Sequence, residues 1–231
     1  MAEAISRSPE SLLRFDRGER VLHWINASLF AVMMATAAAL YVGPISAVVG
    51  RRDVVKTIHV WTGLALPFPI LLTVVLGRWG AGFRADIRRL NRWLADDRRW
   101  LGSRGKDRTV RNGKFNAGQK LNAAFTAGAI LVMLATGAIM RWPKPFPLSF
   151  RTGATFVHDW VFIGLFVTIT GHILFALSDN ESRASMIRGR ISRRWARQHA
   201  PRWYEEVTGE DAASPARRPP ARPPSAKTPT S

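Results

Sequence analysis

Cysteine is absent from the 231 residues, and that absence excludes disulfides, cysteine-ligated iron–sulfur clusters and covalent c-type heme attachment. Such centres could be supplied only by another chain. Acidic side chains are scarce too: Asp and Glu number 16 against 34 Lys and Arg, for a formal net charge of +18. Inside the long apolar runs the sole carboxylate is Asp159, near one end of the last run. The first twenty residues, MAEAISRSPESLLRFDRGER, lack an early apolar core and a cleavage-type sequence, so the first apolar span is expected to be retained.

What the chain has instead is polarity blocked out in segments. A mean hydropathy of −0.04 averages long apolar stretches with arginine-dense connections. Four runs, about 21–42, 57–76, 121–140 and 155–177, match the roughly 20 apolar residues that cross the hydrocarbon layer at about 1.5 Å each. Positive charge this large raises nucleic acid as a partner, but the arginines lie beside apolar spans, where they hold loops on the cytoplasmic side. We therefore read no nucleic-acid binding and a lipid bilayer as the surroundings. The three arginine-rich segments are residues 1–20, the 78–120 connection and the stretch after 177, which puts both termini in the cytoplasm. The 78–120 connection has thirteen Lys or Arg against Asp86, Asp96, Asp97 and Asp107. The outer loops are shorter and less basic, with Arg51, Arg52 and Lys56 in one and Arg141, Lys144 and Arg151 in the other.

The expected fold class is an all-α membrane protein: a four-transmembrane-helix bundle with surface amphipathic helices. Its organisation is a cytoplasmic segment 1–20, a four-helix domain 21–177, a basic amphipathic segment 178–210 and a disordered Pro/Ala/Arg tail 211–231. Pro67 and Pro69 should kink the second helix. The stretch ADIRRLNRWLADDRRWL reads as one short helix on the membrane surface. No internal sequence repeat is evident.

The last run carries His158 and His172, and an ionisable group inside a membrane is a functional-site hypothesis by default. Fourteen residues at about 100° make nearly four turns, so both imidazoles leave one helix face about 21 Å apart. Neutral imidazole is a good iron ligand. Ligands of one iron must share a depth, which pairs His23 with His172 near the inner surface and His59 with His158 near the outer one. His199, in the polar tail, is expected to ligate nothing. Zinc prefers four clustered ligands, or three plus water, and two separated pairs do not supply them. Gly63 and Gly171 would let a flat macrocycle approach a helix backbone.

Three stretches, RFDRGERVLHW at 14–24, GKFNAGQK at 113–120 and GRISRRWARQHAPRWYEE at 189–206, together with the histidine pattern, resemble the cytochrome b, or gamma, subunit of membrane-bound respiratory formate dehydrogenase. The resemblance covers roughly residues 14–208. It implies two b-type hemes with His23/His172 and His59/His158 as axial ligands. It implies a quinone site, for menaquinone or ubiquinone, near the inner heme with Asn116 and Gly118. It implies partners on the outer side: an iron–sulfur (beta) subunit and a molybdopterin or tungstopterin catalytic (alpha) subunit. This chain would then be an electron-transfer and quinone-reducing subunit of the bacterial cytoplasmic membrane, without a dehydrogenase centre of its own. From the residues alone, Asn116 could instead cap the third membrane helix. Related membrane cytochromes serve hydrogenases and other molybdenum oxidoreductases, and a histidine-relay proton or ion transporter and a passive anchor without cofactor are the readings from other classes.

Overall fold

The computed structural model describes residues 11–75 and 80–214. In chain order it runs β1 (Ser11–Leu13), α1 (Arg17–Tyr41), α2 (Gly43–Val49), α3 (Arg52–Ala65), α4 (Phe68–Val75), α5 (Ala81–Asn91), α6 (Ala95–Gly102), α7 (Ala117–Arg141), α8 (Leu148–Ser178), α9 (Asn180–Arg188), β2 (Arg190–Ser192), α10 (Arg193–His199) and α11 (Pro201–Thr208). Four spans are long and apolar enough to cross a membrane: α1, α3 with α4, α7 and α8. Their outward faces carry large apolar side chains, such as Phe175 and Val75, 79% and 78% exposed. Water is a poor solvent for such faces, and lipid a good one.

Local chemistry fixes where these spans begin. Asp16 caps α1 by accepting from the Glu19 amide at 2.7 Å, while Glu19 accepts from the Asp16 amide at 2.6 Å. Asn116 and Gln119 form the same reciprocal box at the start of α7, at 2.9 and 3.0 Å, so two otherwise orphaned donors are satisfied at each helix start. The second span breaks where the prolines predict, between α3 and α4, since proline supplies no amide hydrogen to the ladder.

The two caps point to an internal repeat that the sequence alone did not reveal. Residues 14–21, RFDRGERV, align with 114–121, KFNAGQKL, and 32–36, VMMAT, with 132–136, VMLAT, at an offset of 100. Helices α1 and α7 each have 25 residues. In the next helix of each half, IHVW at 58–61 aligns with VHDW at 157–160. Two helical hairpins of like design thus form the bundle as parallel repeats, the architecture in which sites form at the repeat interface.

Several elements differ from the sequence expectation. The loop after α1 contains α2, which stops at Gly50 in the left-handed conformation (φ 64°). The surface helix expected in 85–101 is two helices, because Arg92–Leu94 leave the helical path and the Leu94 amide donates to Asp97 Oδ2 at 2.8 Å to start α6. The segment after α8 is no simple surface helix. Its β2 pairs antiparallel with β1, Leu12 opposite Ile191, so the all-α class gains a small two-stranded ribbon. Ile191, Trp195, Ala196, Ala200, Trp203 and Tyr204 make a buried core of their own. Gly189 permits this, because at φ 81° its carbonyl accepts from the amides of Arg14 and Phe15 at 2.8 and 3.1 Å, and an added Cβ would lie 2.6 Å from Phe15 O. Of the tail expected to be disordered, Ala212 is held by Glu205 at 3.0 Å and by Arg197. The rest, from residue 215, lies outside the described residues, as do residues 1–10 and 76–79.

The end of the bundle where α1 and α7 start is therefore capped, and the cap is held by buried ions. Lys114 Nζ lies 3.1 Å from Glu19 and 2.6 Å from Asp86, and Lys120 Nζ 2.7 Å from Asp97 and 2.8 Å from the Arg92 carbonyl. Arg14 donates to Ser182 at 2.9 Å and lies over the Trp195 ring at 4.4 Å. Burial lowers its pKa to about 10, against the pull of Asp179 and Asp86, so it stays charged at neutral pH. Removing one partner of such a pair strands a buried charge, at a cost of about 3–5 kcal/mol. Lys120→Met should lower the unfolding midpoint of the detergent-solubilised protein sharply, and Lys120→Met with Asp97→Asn should regain much of the loss. Trp203→Ala should cost about 3–5 kcal/mol and, in limited proteolysis, free residues 189–214 while leaving the membrane helices intact.

Candidate functional site

Four of the five histidines project into the bundle from three helices, and the fold brings them together in two pairs. The rings of His23 on α1 and His172 on α8 face each other with centres 6.3 Å apart and planes 59° apart. Those of His59 on α3 and His158 on α8 lie 6.4 Å apart with planes at 65°. The first pair sits at the capped end and the second toward the open end. Because α8 is continuous through both residues, helix rise separates the two sites by about 21 Å. His199 belongs to neither pair: its ring stacks on Trp195 at 4.8 Å and its Nδ1 lies 3.1 Å from the Trp195 carbonyl.

The spacing within each pair tests what could lie between the rings. A metal–imidazole bond is about 2 Å and the ligating nitrogen sits about 1.2 Å from its ring centre, so two imidazoles on opposite sides of one ion have centres a little over 6 Å apart. Both pairs have that spacing, and neither fits a direct hydrogen bond between rings, which would bring the centres closer. Among the described residues no group of three or more His, Cys, Asp or Glu side chains converges as a metal site, so two-ligand sites that leave four positions to a macrocycle suit these residues better than a zinc centre.

The His59/His158 pair has a cavity to match. About 460 Å³ of space is bordered by His59 and His158, by Met33, Leu64, Leu134 and Phe162, and by Arg52, Lys56, Arg141 and Asp159. Apolar walls with three cations against one carboxylate suit a flat apolar macrocycle bearing acidic edge groups. Gly63 lines this space, and a Cβ there would rest on the Met33 methyl at 3.4 Å; around Gly171 the space is open.

Two threonines that the sequence reading passed over stand against the His59/His158 pair. Thr36 Oγ1 lies 2.9 Å from His59 Nδ1, and Thr136 Oγ1 lies 2.9 Å from His158 Nδ1. Each hydroxyl has one hydrogen, directed to the carbonyl four residues back, Val32 or Val132, at 2.7 Å. The threonine oxygen can then accept from Nδ1–H, the tautomer that keeps the Nε2 lone pair free for a metal. The signal available in the sequence was the matching VMMAT and VMLAT.

At the capped end Asn116 is the cap of α7, its Oδ1 engaged by the Gln119 amide. Beside it the Trp100 indole packs against Gly118, where an added Cβ would come within 2.8 Å of the ring. The structure thus places Asn116 and Gly118 together at the start of α7 under an aromatic lid.

Comparison with known proteins agrees with this architecture. The chain resembles the formate dehydrogenase cytochrome b556 subunit of Haemophilus influenzae, 28% identical over 205 residues, 84% of this chain and 83% of the relative. It is also similar to the formate dehydrogenase cytochrome b556(fdo) subunit of Escherichia coli K12, 26% identical over 86% of this chain and 94% of the relative. The nitrate-inducible formate dehydrogenase cytochrome b556(Fdn) subunit of that strain is 37% identical over 103 residues, 43% of this chain and 48% of the relative. The family described as prokaryotic cytochrome b561 matches residues 14–189, a stretch that takes in both imidazole pairs and all four spans, and the chain belongs to that family of b-type heme membrane proteins.

Proposed function

We propose that the chain is the membrane cytochrome b subunit of a respiratory formate dehydrogenase, which passes electrons from an iron–sulfur partner through two b hemes to quinone and anchors the complex in the bacterial cytoplasmic membrane. The observation that carries this reading is the two imidazole pairs, 6.3 and 6.4 Å between ring centres, each with one member on the continuous helix α8. The formate dehydrogenase names of the relatives point to the donor.

Positive charge directs the capped end to the cytoplasm. The His59/His158 pair then lies near the outer surface, where the iron–sulfur (beta) subunit and the molybdopterin or tungstopterin catalytic (alpha) subunit dock. Bound between the imidazoles, two b hemes supply one-electron carriers at the two depths. The chain's own residues do the rest. His23 with His172 and His59 with His158 would hold the iron of each group, the apolar lining would keep water out, and Arg52, Lys56 and Arg141 would face the acidic edge at the outer site. At the capped end Asn116 keeps its Oδ1 on the helix cap and offers its amide hydrogens to one oxygen of menaquinone or ubiquinone, while Gly118 leaves room for the Trp100 ring to pack beside it. Quinone reduced there takes its protons from the cytoplasm. Each electron carried inward against a potential negative inside conserves about 2.3 kcal/mol per 100 mV.

The purified protein should be red, with reduced b-type absorption bands and two hemes per chain; a colourless, fully assembled protein would sink the proposal. His59→Ala or His158→Ala should remove the outer heme and His23→Ala or His172→Ala the inner one, while His199→Ala leaves both. Depletion of one and the same heme by His23→Ala and His158→Ala would show the pairing to be wrong. Co-purification with a hydrogenase rather than a formate dehydrogenase would reassign the donor.

Asn116 needs a test that separates cap from site. Asn116→Ser keeps a capping oxygen but lacks the amide donor, so it should slow quinone reduction and weaken quinone-analogue binding with both hemes still reducible by the donor. Asn116→Ala should add a stability loss of about 1 kcal/mol from the lost cap. Unchanged quinone kinetics in Asn116→Ser would return this residue to the capping role alone.

A further inference from the structure

The outer and inner imidazole pairs differ in what holds their second nitrogen. At the outer pair, Thr36 Oγ1 and Thr136 Oγ1 each stand 2.9 Å from the Nδ1 of a ligand histidine. At the inner pair, among the described residues, neither His23 nor His172 has a hydrogen-bond partner on its ring. Both outer contacts have the same chemistry, since each hydroxyl spends its hydrogen on a carbonyl of its own helix at 2.7 Å and is left as an acceptor. They also recur at equivalent places in the two repeats, Thr36 with His59 and Thr136 with His158, so the arrangement is built twice.

An imidazole that donates a hydrogen bond from Nδ1 gains electron density on Nε2 and becomes a stronger base toward the metal. A more basic axial ligand favours ferric over ferrous iron, because the oxidised ion carries one more positive charge, and second-shell hydrogen bonding is one of the levers by which a protein sets a heme potential. Among the described residues two such contacts reach the ring nitrogens of the outer pair and none those of the inner pair. On the two-heme reading proposed above, on which this rests, we infer that Thr36 and Thr136 are positioning residues that hold the outer heme at a lower potential than the inner one, so that electron transfer between the two sites runs downhill from the donor side toward quinone. The threonines contact the ligand rings rather than the reacting groups, and each step moves one electron and no proton.

The test is a spectroscopic redox titration of the full-length protein with both hemes bound. The wave missing from a His59→Ala preparation identifies the outer heme. Thr36→Val and Thr136→Val keep the shape of the side chain and remove the acceptor. Each is expected to change the ferric-over-ferrous preference of the outer heme by up to about tenfold, which for a one-electron couple raises its midpoint by up to about 59 mV; the double variant should raise it further, and the inner wave should stay in place. Thr36→Ser and Thr136→Ser retain the oxygen and should restore the wild-type potential. If the double variant fails to hold the outer heme, the single variants, each with one threonine bond left, carry the test. An unchanged outer wave in heme-loaded valine variants, or equal shifts in both waves, overturns the inference while leaving the two-heme reading intact. A wild-type preparation without two b-type waves overturns the two-heme reading and this inference with it.

Discussion

In lipid, helices gain nothing from hiding apolar surface from one another, since the tails are as apolar as leucine; what ties the two hairpins together at one end is the buried ionic cluster. Lys114 stands at the threshold of α7 and bonds Glu19 on α1 and Asp86 on α5, which fixes the start of the second hairpin against the start of the first. His23 lies one turn beyond Glu19 on α1, so the His23/His172 pair stands just beneath that cluster. The cap domain around Trp203 and Tyr204 closes over the same cluster through Arg14.

Much of this was legible in the residues because the membrane simplifies the problem. Apolar run length specified the four spans, Pro67 and Pro69 the break between α3 and α4, and depth the choice of which histidines meet. What the sequence hid has specific causes. The strand pairing of Ser11–Leu13 with Arg190–Ser192 joins segments too short to show a periodicity and too far apart to suggest a turn. The break between α5 and α6 depends on one carboxylate, Asp97, engaging a main-chain amide, and a run of charged residues gives no warning of it. Thr36 and Thr136 read as ordinary helix threonines bonded to their own backbone, which they are. Only the neighbouring helix shows that each oxygen has a second use. The repeat escaped notice because its halves agree at caps and site residues and diverge elsewhere, and because the offset slips from 100 in the first helix to 99 in the second.

The two ends of the bundle divide the work by solvent. At the capped end charge is dense and paired, and each of Asp86, Asp96, Asp97 and Asp107 meets a Lys or Arg. At the other end the cations Arg52, Lys56 and Arg141 border the outer cavity and α2 stands exposed. One end of the bundle is thus closed by paired charge and the other left with unburied cations and an exposed helix.

The slip in the repeat has a geometric consequence. His59 and His158 occupy matching places in the two hairpins, so whatever they grip sits on the pseudo-twofold axis of the bundle and belongs to both halves. His23 and His172 do not match: the residues equivalent to them in the opposite hairpins are Ala123 and Thr73. The pair at the capped end is therefore displaced to one flank, with an alanine and a threonine at the symmetry-related place. A duplicated scaffold that by symmetry would offer two histidine pairs at that end has only one.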